Sequence, residues 1–447
     1  EVGEDYLQHM RSTLKKRQAL APVRLELQTK GDSLLSDYLR KRLKIKKEQV
    51  FLSAAPLDLS YVFSIEDSLS STQKSQLLYL PFTPSMSIPE SAQENLLNYV
   101  QKKDLLLSYP YQSFELFLQL IREAAYDEDV LSLKITIYRL GRRRAKLMNY
   151  LITAAENGKD VTVLMELKAR FDEANNILWA ENLQDAGCHI LYGFEGYKVH
   201  SKICLITRRT EGHLCYTTQI GTGNYNAKTA AMYTDLSLIT SDKTIGHDAD
   251  IFFKNMGIGN LEGTYHKLLV APISLKSSLL NLICQEKKKA LAGKPASILL
   301  KMNSLTDRTL IDALQEASQA GVPIRLIIRG ICCLLPGIPG KTENIQIKSI
   351  VGRLLEHSRI FCFGAEGPQQ KIYISSADWM TRNTENRVEI ACPIEDTSLR
   401  NEVLNSLKLM LADNVKGRQL LPNGCYQRLP ENSHALNSQE YFIHLFS

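Results

Sequence analysis

Two short stretches of the chain repeat one arrangement of reactive side chains. In YKVHSKICLITRR, His200 is followed two residues on by Lys202; in LLEHSRIFCF, His357 is followed two residues on by Arg359. Each histidine opens an apolar run. Each run leads to a turn of small residues carrying an amide or a carboxylate, Asn224 in IGTGNYN and Asp378 in ISSADW. Each turn is followed by a carboxylate at the edge of a further apolar run, Asp235 in YTDLSLIT and Glu389 in NRVEIACPI. A neutral imidazole is a good nucleophile toward phosphorus near neutral pH. A base two residues along a strand projects to the same face as the histidine. The turns GTGN and SSAD offer backbone N–H groups and little steric bulk, which suits close approach by an anion. A single strand histidine would be read as a satisfied core residue. Its repetition with a base predicts two half-sites across a pseudo-two-fold axis, holding a phosphate between two imidazoles and a ring of cations.

The elements that must carry these residues alternate in an α/β rhythm. In the first half, LSLKITIYR reads as a buried strand and AKLMNYLITAAENGK as a helix closed by Gly158. VTVLMEL is the next strand, ANNILWAENLQDAG a helix closed by Gly187, and CHILYGF and KVHSKICLI are further strands. The second half runs ASILLKMNS as strand, RTLIDALQEASQAG as helix closed by Gly321, then VPIRLIIRG, GRLLEHSRIFCFG and KIYISSADW. A glycine between a helical period and a β-branched run is a helix stop. Strand–helix alternation predicts a mainly parallel sheet in each half. The two halves agree in order as well as in motif, so an internal duplication is expected.

At 447 residues the chain exceeds one hydrophobic core. The expected domains are 1–88, a head region ending in the Pro- and Ser-rich linker LPFTPSMSIPESAQ, then 89–267 and 268–447, one per copy of the motif. The composition is that of a soluble globular protein, with 44% hydrophobic and 23% charged residues. No stretch has the length of a membrane span, and no leader peptide is expected from the opening residues. With Glu1 and not Met in first place, a piece of a longer protein is expected. The net charge of +6 is mild, but basic residues crowd the motif regions, among them Arg139, Arg142, Arg143, Arg144, Lys168, Arg170 and Lys198, which favours a polyanionic ligand. Nine cysteines without a C-x-x-C pair, several inside apolar runs, read as reduced thiols of a cytosolic protein, with no zinc spacing. IGTGNYNAKT and MGIGNLEG fail the spacing of the two familiar glycine-rich nucleotide motifs.

The residues PFTP, PYQSFE, KITIYR, NGKDVTVLMELKARFDEANN, HSKICLITRR, IGTGNYNAKTAAMYTDLSLIT, KLLVAPISL, KMNSL, ASQAGVPIRLIIRGICCL, PGIPG, SIVGRLLEHSRI, SADWMTRN and LADNVKGRQL, in this order, resemble polyphosphate kinase, the long-chain enzyme with a phospholipase-D-like duplicated catalytic core. The resemblance extends over nearly the whole chain. It implies two phospholipase-D-like α/β domains related by internal duplication, preceded by part of an α+β head domain. It implies reversible transfer of the ATP γ-phosphate to inorganic polyphosphate. His200 corresponds to the histidine that the family phosphorylates, with Lys202 and His357 as its catalytic companions. Tyr233, Arg329 and His357 correspond to residues lining the ATP phosphates, and Asn224 and Arg359 join that set. Arg139 and Arg170 belong to the Mg²⁺–phosphate region. Arginine has no lone pair to give a metal, so these two are read as contacts to metal-bound phosphate, with Glu166 or Asp172 as oxygen ligands. ATP, ADP and polyphosphate are the implied partners, Mg²⁺ the implied cofactor, and a homo-oligomer, dimer or tetramer, the implied assembly. The implied location is the cytoplasm, with peripheral association at the inner membrane face. No nucleic-acid partner and no transmembrane segment are expected.

Three departures from the family pattern stand out. The N-terminal helical domain would lie before Glu1, Leu335 stands where the family usually has Arg, and the segment after IYR carries the basic run Arg142–Arg144. Two other readings of the residues remain at this point. A phospholipase-D-like phosphodiesterase or nuclease would use the same two histidines, although Arg359 replaces the usual second Lys and Thr207 the usual first Asp. A non-catalytic polyanion-binding fragment would need only the cations.

Overall fold

The structure is a computed structural model that describes residues 8, 10–16, 20–28, 33–138, 146–167, 173–194, 196–429 and 434–446. Two compact units divide the chain, Glu1–Pro81 and Phe82–Ser447. In the first, β1 (Leu25–Leu27) and β2 (Val50–Leu52) pair in parallel, joined through the helix Ser33–Arg42. Two short helices follow, and the second, Ser71–Leu77, is opened by a Ser70–Gln73 capping box. Large apolar side chains of this unit, including Leu34, Phe51, Leu52 and Phe63, are exposed.

The second unit contains two sheets of one topology. The strands of the first are β3 (Leu105–Tyr109), β4 (Val130–Ile137), β5 (Asp160–Met165) and β6 (His189–Tyr192), followed after the short β7 (Lys198–Val199) by β8 (Ile203–Thr210), β9 (His213–Gly221) and β10 (Tyr233–Thr240). Across this sheet the order is β6-β5-β4-β8-β9-β10, with β3 on the far side of β10. The second sheet is made from β11 (Leu269–Ala271), β12 (Ile298–Met302), β13 (Ile324–Ile328) and β14 (Ile345–Ile350), then, after the short β15 (Leu355–Glu356), β16 (Arg359–Phe363), β17 (Lys371–Ser375) and β18 (Arg387–Pro393). Its order is β14-β13-β12-β16-β17-β18-β11, which repeats the first sheet strand for strand, and β19 (Gly417–Leu420) and β20 (Tyr426–Arg428) extend the β14 edge. The expected duplication is therefore present in the topology.

The sheets are mixed, not mainly parallel. Apart from the short strands β7 and β15, only β4-β5-β6 and β12-β13-β14 run parallel. The remaining pairs are antiparallel, between consecutive strands as in β8–β9 and β16–β17, or between strands distant in the chain as in β3–β10, β4–β8, β11–β18 and β12–β16. At the β8–β9 turn, Glu211 (φ 52°) and Gly212 (φ 80°) are both left-handed, the geometry of the two-residue turn that matches strand twist. The helix stops behave as read. Gly158, Gly187 and Gly321 have φ of 80°, 89° and 89° behind the helices Lys146–Glu156, Glu173–Asp185 and Arg308–Gln319. The stretch read as a linker is docked from Phe82 onward. Ser85 donates its N–H to the Tyr111 carbonyl at 2.7 Å and accepts from Ser113 N–H at 2.8 Å.

One apolar core serves both halves. Leu205, Ile220, Leu238 and Phe252 from the first half pack in the same cluster as Ile360, Ile374, Val388 and Leu407 from the second, together with Phe442 of the helix Ser438–Phe446. A second cluster, around Ile298, Leu300, Leu326 and Trp379, lies under helices Leu275–Leu291 and Arg308–Gln319 of the second half. No helix among the described residues is long and apolar enough to cross a membrane.

Candidate active site

The histidines sit where the chain crosses between sheets. KVHSKICLI is not one strand. β7 pairs in parallel with β18 of the second sheet, and the chain then leaves at His200 to enter the first sheet at β8. The N–H groups of His200 and Ser201 both donate to the Val388 carbonyl at 2.9 Å. The second copy mirrors this: β15 pairs in parallel with β10 of the first sheet, and the chain leaves at His357 to enter the second sheet at β16. The physical cause is a competition for edges, since each short segment finds its backbone partners on the opposite half. Lys202 consequently reaches the site by folding back, its Nζ donating to the His200 carbonyl, rather than by strand alternation.

This crossing pairs each imidazole with the other half's carboxylate. His200 Nδ1 lies 2.9 and 3.0 Å from the two oxygens of Glu389, and His357 Nδ1 lies 2.8 Å from both oxygens of Asp235. Both carboxylates were singled out in the sequence, but their partners were not legible there. Facing a carboxylate, Nδ1 donates its hydrogen, and Nε2 keeps the lone pair. A hydroxyl orients each acid: Ser376 donates to Glu389 at 2.5 Å and Thr222 to Asp235 at 2.6 Å. These two hydroxyls occupy matching places just beyond β17 and β9.

The cations around the two pairs differ. Lys202 is buried and lies 5.7 Å from the centroid of the Tyr138 ring, which itself meets the His200 ring edge-on at 4.9 Å. Burial pushes the Lys202 ammonium down to about 7, against the pull of Glu389. Arg359 is equally buried and spans both halves: Nη1 donates to the Thr222 and His357 carbonyls at 3.2 and 2.9 Å and approaches His357 Nε2 at 3.2 Å. Its Nη2 donates to Asp378 at 3.0 Å, and its Nε has no partner among the described residues. Asp378 is held in place by the Asn303 N–H at 2.7 Å. Asn224, at the matching place in the first half, has a buried Oδ1 without a partner among the described residues. Arg387 Nη1 stands 3.7 Å from Glu389.

The titration behaviour separates the halves. Burial pushes the Glu389 carboxyl up to about 7 in spite of Lys202 and Arg387. Burial also works on Asp235, but the His357 ring, the Thr222 hydroxyl and Arg359 outweigh it and hold that carboxyl below its ordinary value. Burial and the neighbouring Lys202, Arg387 and Arg359 keep the His200 imidazole well below its ordinary value. Burial lowers His357 too, with Asp235 opposing.

Among the other candidates, Tyr233 sets its ring 5.1 Å from that of His357. Arg329 donates from Nε to the Glu356 carbonyl at 2.7 Å and from Nη2 to Asn303 at 3.2 Å, which ties it to the backbone beside His357. Glu166 is buried and accepts the Val199 N–H at 2.8 Å. Arg139, Arg142, Arg143, Arg144, Lys168, Arg170 and Asp172 lie outside the described residues. Leu335 is exposed. Among the described residues no group of three or more His, Cys, Asp or Glu side chains is placed to hold a metal ion.

Three sequence models match the chain in succession: the polyphosphate kinase middle domain over residues 1–65, C-terminal domain 1 over 95–260 and C-terminal domain 2 over 268–439. A polyphosphate kinase of Staphylococcus epidermidis is 45% identical over 99% of this chain, and one of Pseudomonas aeruginosa 43% identical over 96%. The chain spans 60% and 61% of the length of these two relatives. The crystal structure of polyphosphate kinase from Porphyromonas gingivalis superimposes with a TM-score of 0.83 at 33% identity, covering 95% of this chain and 64% of that one.

Proposed function

The chain belongs to the polyphosphate kinase family, and from that premise we propose that it transfers the terminal phosphate of ATP reversibly to the end of an inorganic polyphosphate chain through a phosphohistidine at His200. The observation that carries the mechanism is the crosswise pair of His200 with Glu389. With its Nδ1 hydrogen committed to the acid, the His200 Nε2 lone pair attacks the γ-phosphorus. An N–P bond forms as the bond to the β–γ bridging oxygen breaks, and ADP leaves with that electron pair. A terminal oxygen of polyphosphate then attacks the phosphorus, and the N–P electron pair returns to Nε2. As His200 gains positive character, Glu389 compensates it from below.

His357 is the phosphate contact on the opposite face and becomes the proton donor once its Nε2 has taken up a proton, a form that the Asp235 carboxylate favours. Lys202, Arg359 and Arg329, with Arg139 and Arg170 from the undescribed segments, neutralise the equatorial oxygens, and Tyr233 and Asn224 line the nucleotide phosphates. Magnesium is read as arriving on the nucleotide's phosphates. Among the described residues no group of acidic side chains forms a cage for it, and Glu166 already has one oxygen on the Val199 N–H. The resemblance carries a homo-oligomer with it, and the exposed apolar side chains of the first unit support one. Nine unpaired cysteines support a cytoplasmic location, with peripheral association at the inner membrane face as the finer proposal.

The test is incubation of the full chain with γ-labelled ATP and Mg²⁺. An acid-labile, base-stable label is expected on the protein and is lost in His200→Ala. A label that persists in that variant sinks the assignment.

A further inference from the structure

Directly behind His357 the second half carries a buried polar assembly built on a carboxylate and an ammonium, where the matching positions of the first half hold Val199 and Thr136. Glu356, the residue before His357, pairs with Lys301 at 3.0 Å, and both are 2% exposed. The other Glu356 contacts are specific as well. Thr234 Oγ1 donates to Oε2 at 2.8 Å, and Gln439 Nε2 donates to Oε1 at 2.7 Å. The same Thr234 Oγ1 accepts the N–H of His357 at 3.3 Å, and Lys301 donates to the Ser358 hydroxyl at 2.6 Å. In the first half Val199 occupies the place of Glu356. Thr136 occupies that of Lys301, its hydroxyl donating to the Ser201 carbonyl as Lys301 does to that of Ser358.

Gln439 does more than touch Glu356. Its Oε1 accepts the Leu354 N–H and its Nε2 donates to the Leu354 carbonyl, each at 2.9 Å, so the amide acts as one rung of a strand beside the chain that enters β15. The slot is cut to fit: a Cβ at Gly352 would lie 2.5 Å from Gln439 Oε1. Gln439 belongs to the helix Ser438–Phe446, whose first residue is anchored by N–H and hydroxyl to the buried Asp413 at 2.8 and 2.7 Å.

A buried ion pair is weak evidence of stability, because well-packed apolar side chains in its place often serve as well or better. What such a pair does supply, when every lone pair and proton is matched, is one fixed position. We propose that Gln439, acting through Glu356 and Thr234, is a positioning residue for His357. The C-terminal helix thereby sets where that imidazole stands against Asp235 and the incoming phosphate. The proposal rests on the role given to His357 above.

The test compares Gln439→Met, which keeps the volume and removes the amide, with His357→Ala and with the double variant, all in the full chain. Turnover of ATP with polyphosphate is expected to show kcat lower by about 10–100-fold in Gln439→Met with KM for ATP little changed. The double variant should be no slower than His357→Ala alone, because both remove the same contribution. Losses that multiply, or a Gln439→Met enzyme with the parent's kcat, overturn the proposal. Thr234→Val, which deletes only the hydroxyl linking Glu356 to the His357 N–H, is read the same way if Gln439→Met does not fold. Should the parent show no turnover, the functional reading fails on its own. Titration of the His357 ring by NMR then decides: a shift of its midpoint in Gln439→Met supports positioning, and an unchanged midpoint overturns it.

Discussion

Burial drives the Lys202 pKa down to about 7, so its charge is expected to change across the neutral range. The cation is present below that value and is lost as pH rises through it, unless an anion is bound against it. Removing the charge by Lys202→Met is therefore expected to weaken binding of a labelled polyphosphate by about tenfold or more at pH 6 and hardly at all at pH 9, as read by fluorescence polarisation. Equal losses at the two pH values would show that Lys202 stays charged throughout. Glu389 titrates in the same window from the acid side, its carboxyl raised to about 7. It is the carboxylate above that pH, which is the form that accepts the His200 hydrogen, and the neutral acid below it. Turnover should fall as pH falls through about 7, and Glu389→Gln should remove that limb while lowering kcat by about 10²–10⁴-fold. Asp235, held below its ordinary range by His357 and Arg359, should add no such limb. The His–base pairs were legible because they are local. Their acids were not, since Glu389 lies 189 residues from His200 and Asp235 122 residues from His357, and no spacing rule reaches so far.

Gly223 shows how an element positions a side chain by leaving room for it. A Cβ there would lie 2.2 Å from Oδ2 of Asp235 and 2.4 Å from its Cγ. The Asp235 carboxylate can stand under His357 only because the residue after Thr222 has no side chain. In the second half Ala377 stands at the matching place, and the acid there is the longer Glu389. Gly223→Ala is expected to destabilise the fold by about 1–3 kcal/mol in a thermal melt and to lower turnover further than that loss explains. The reverse exchange, Ala377→Gly, should leave turnover near the parent's. The β8–β9 turn offers the opposite case. Glu211 holds φ at 52°, which costs a residue with a Cβ, so Glu211→Gly should raise the melting midpoint, gaining about 0.5–1 kcal/mol. A melting point below the parent's would mean that the Glu211 side chain contributes more than its backbone strain costs. Strands, helices and glycine stops could be read from hydrophobic period and turn chemistry. The break at each histidine could not, because KVHSKICLI looks like one apolar run until a second sheet competes for its first residues.

The two halves of residues 82–447 are not built as separable bodies. They share an apolar core, exchange the short strands β7 and β15, and complete each other's histidine pairs. Residues 82–447 should therefore unfold in a single cooperative transition. Residues 82–267 or 268–447 expressed alone should be poorly soluble and devoid of turnover, each leaving a buried carboxylate without its imidazole. Two resolved calorimetric transitions within 82–447 would contradict this. The duplication and the α/β class were visible in the sequence, because repetition needs no three-dimensional knowledge. The shared core was invisible, because apolar runs do not announce which sheet they face. The exchanged strands also bear on ancestry. A single unduplicated copy could not have closed either histidine pair by itself and would have needed an identical neighbour turned half a revolution, so the founding site would have been made by a symmetric pair of chains. Covalent fusion released the two sites from having to be the same, and Lys beside one imidazole with Arg beside the other, Glu beneath one with Asp beneath the other, are what that release permitted.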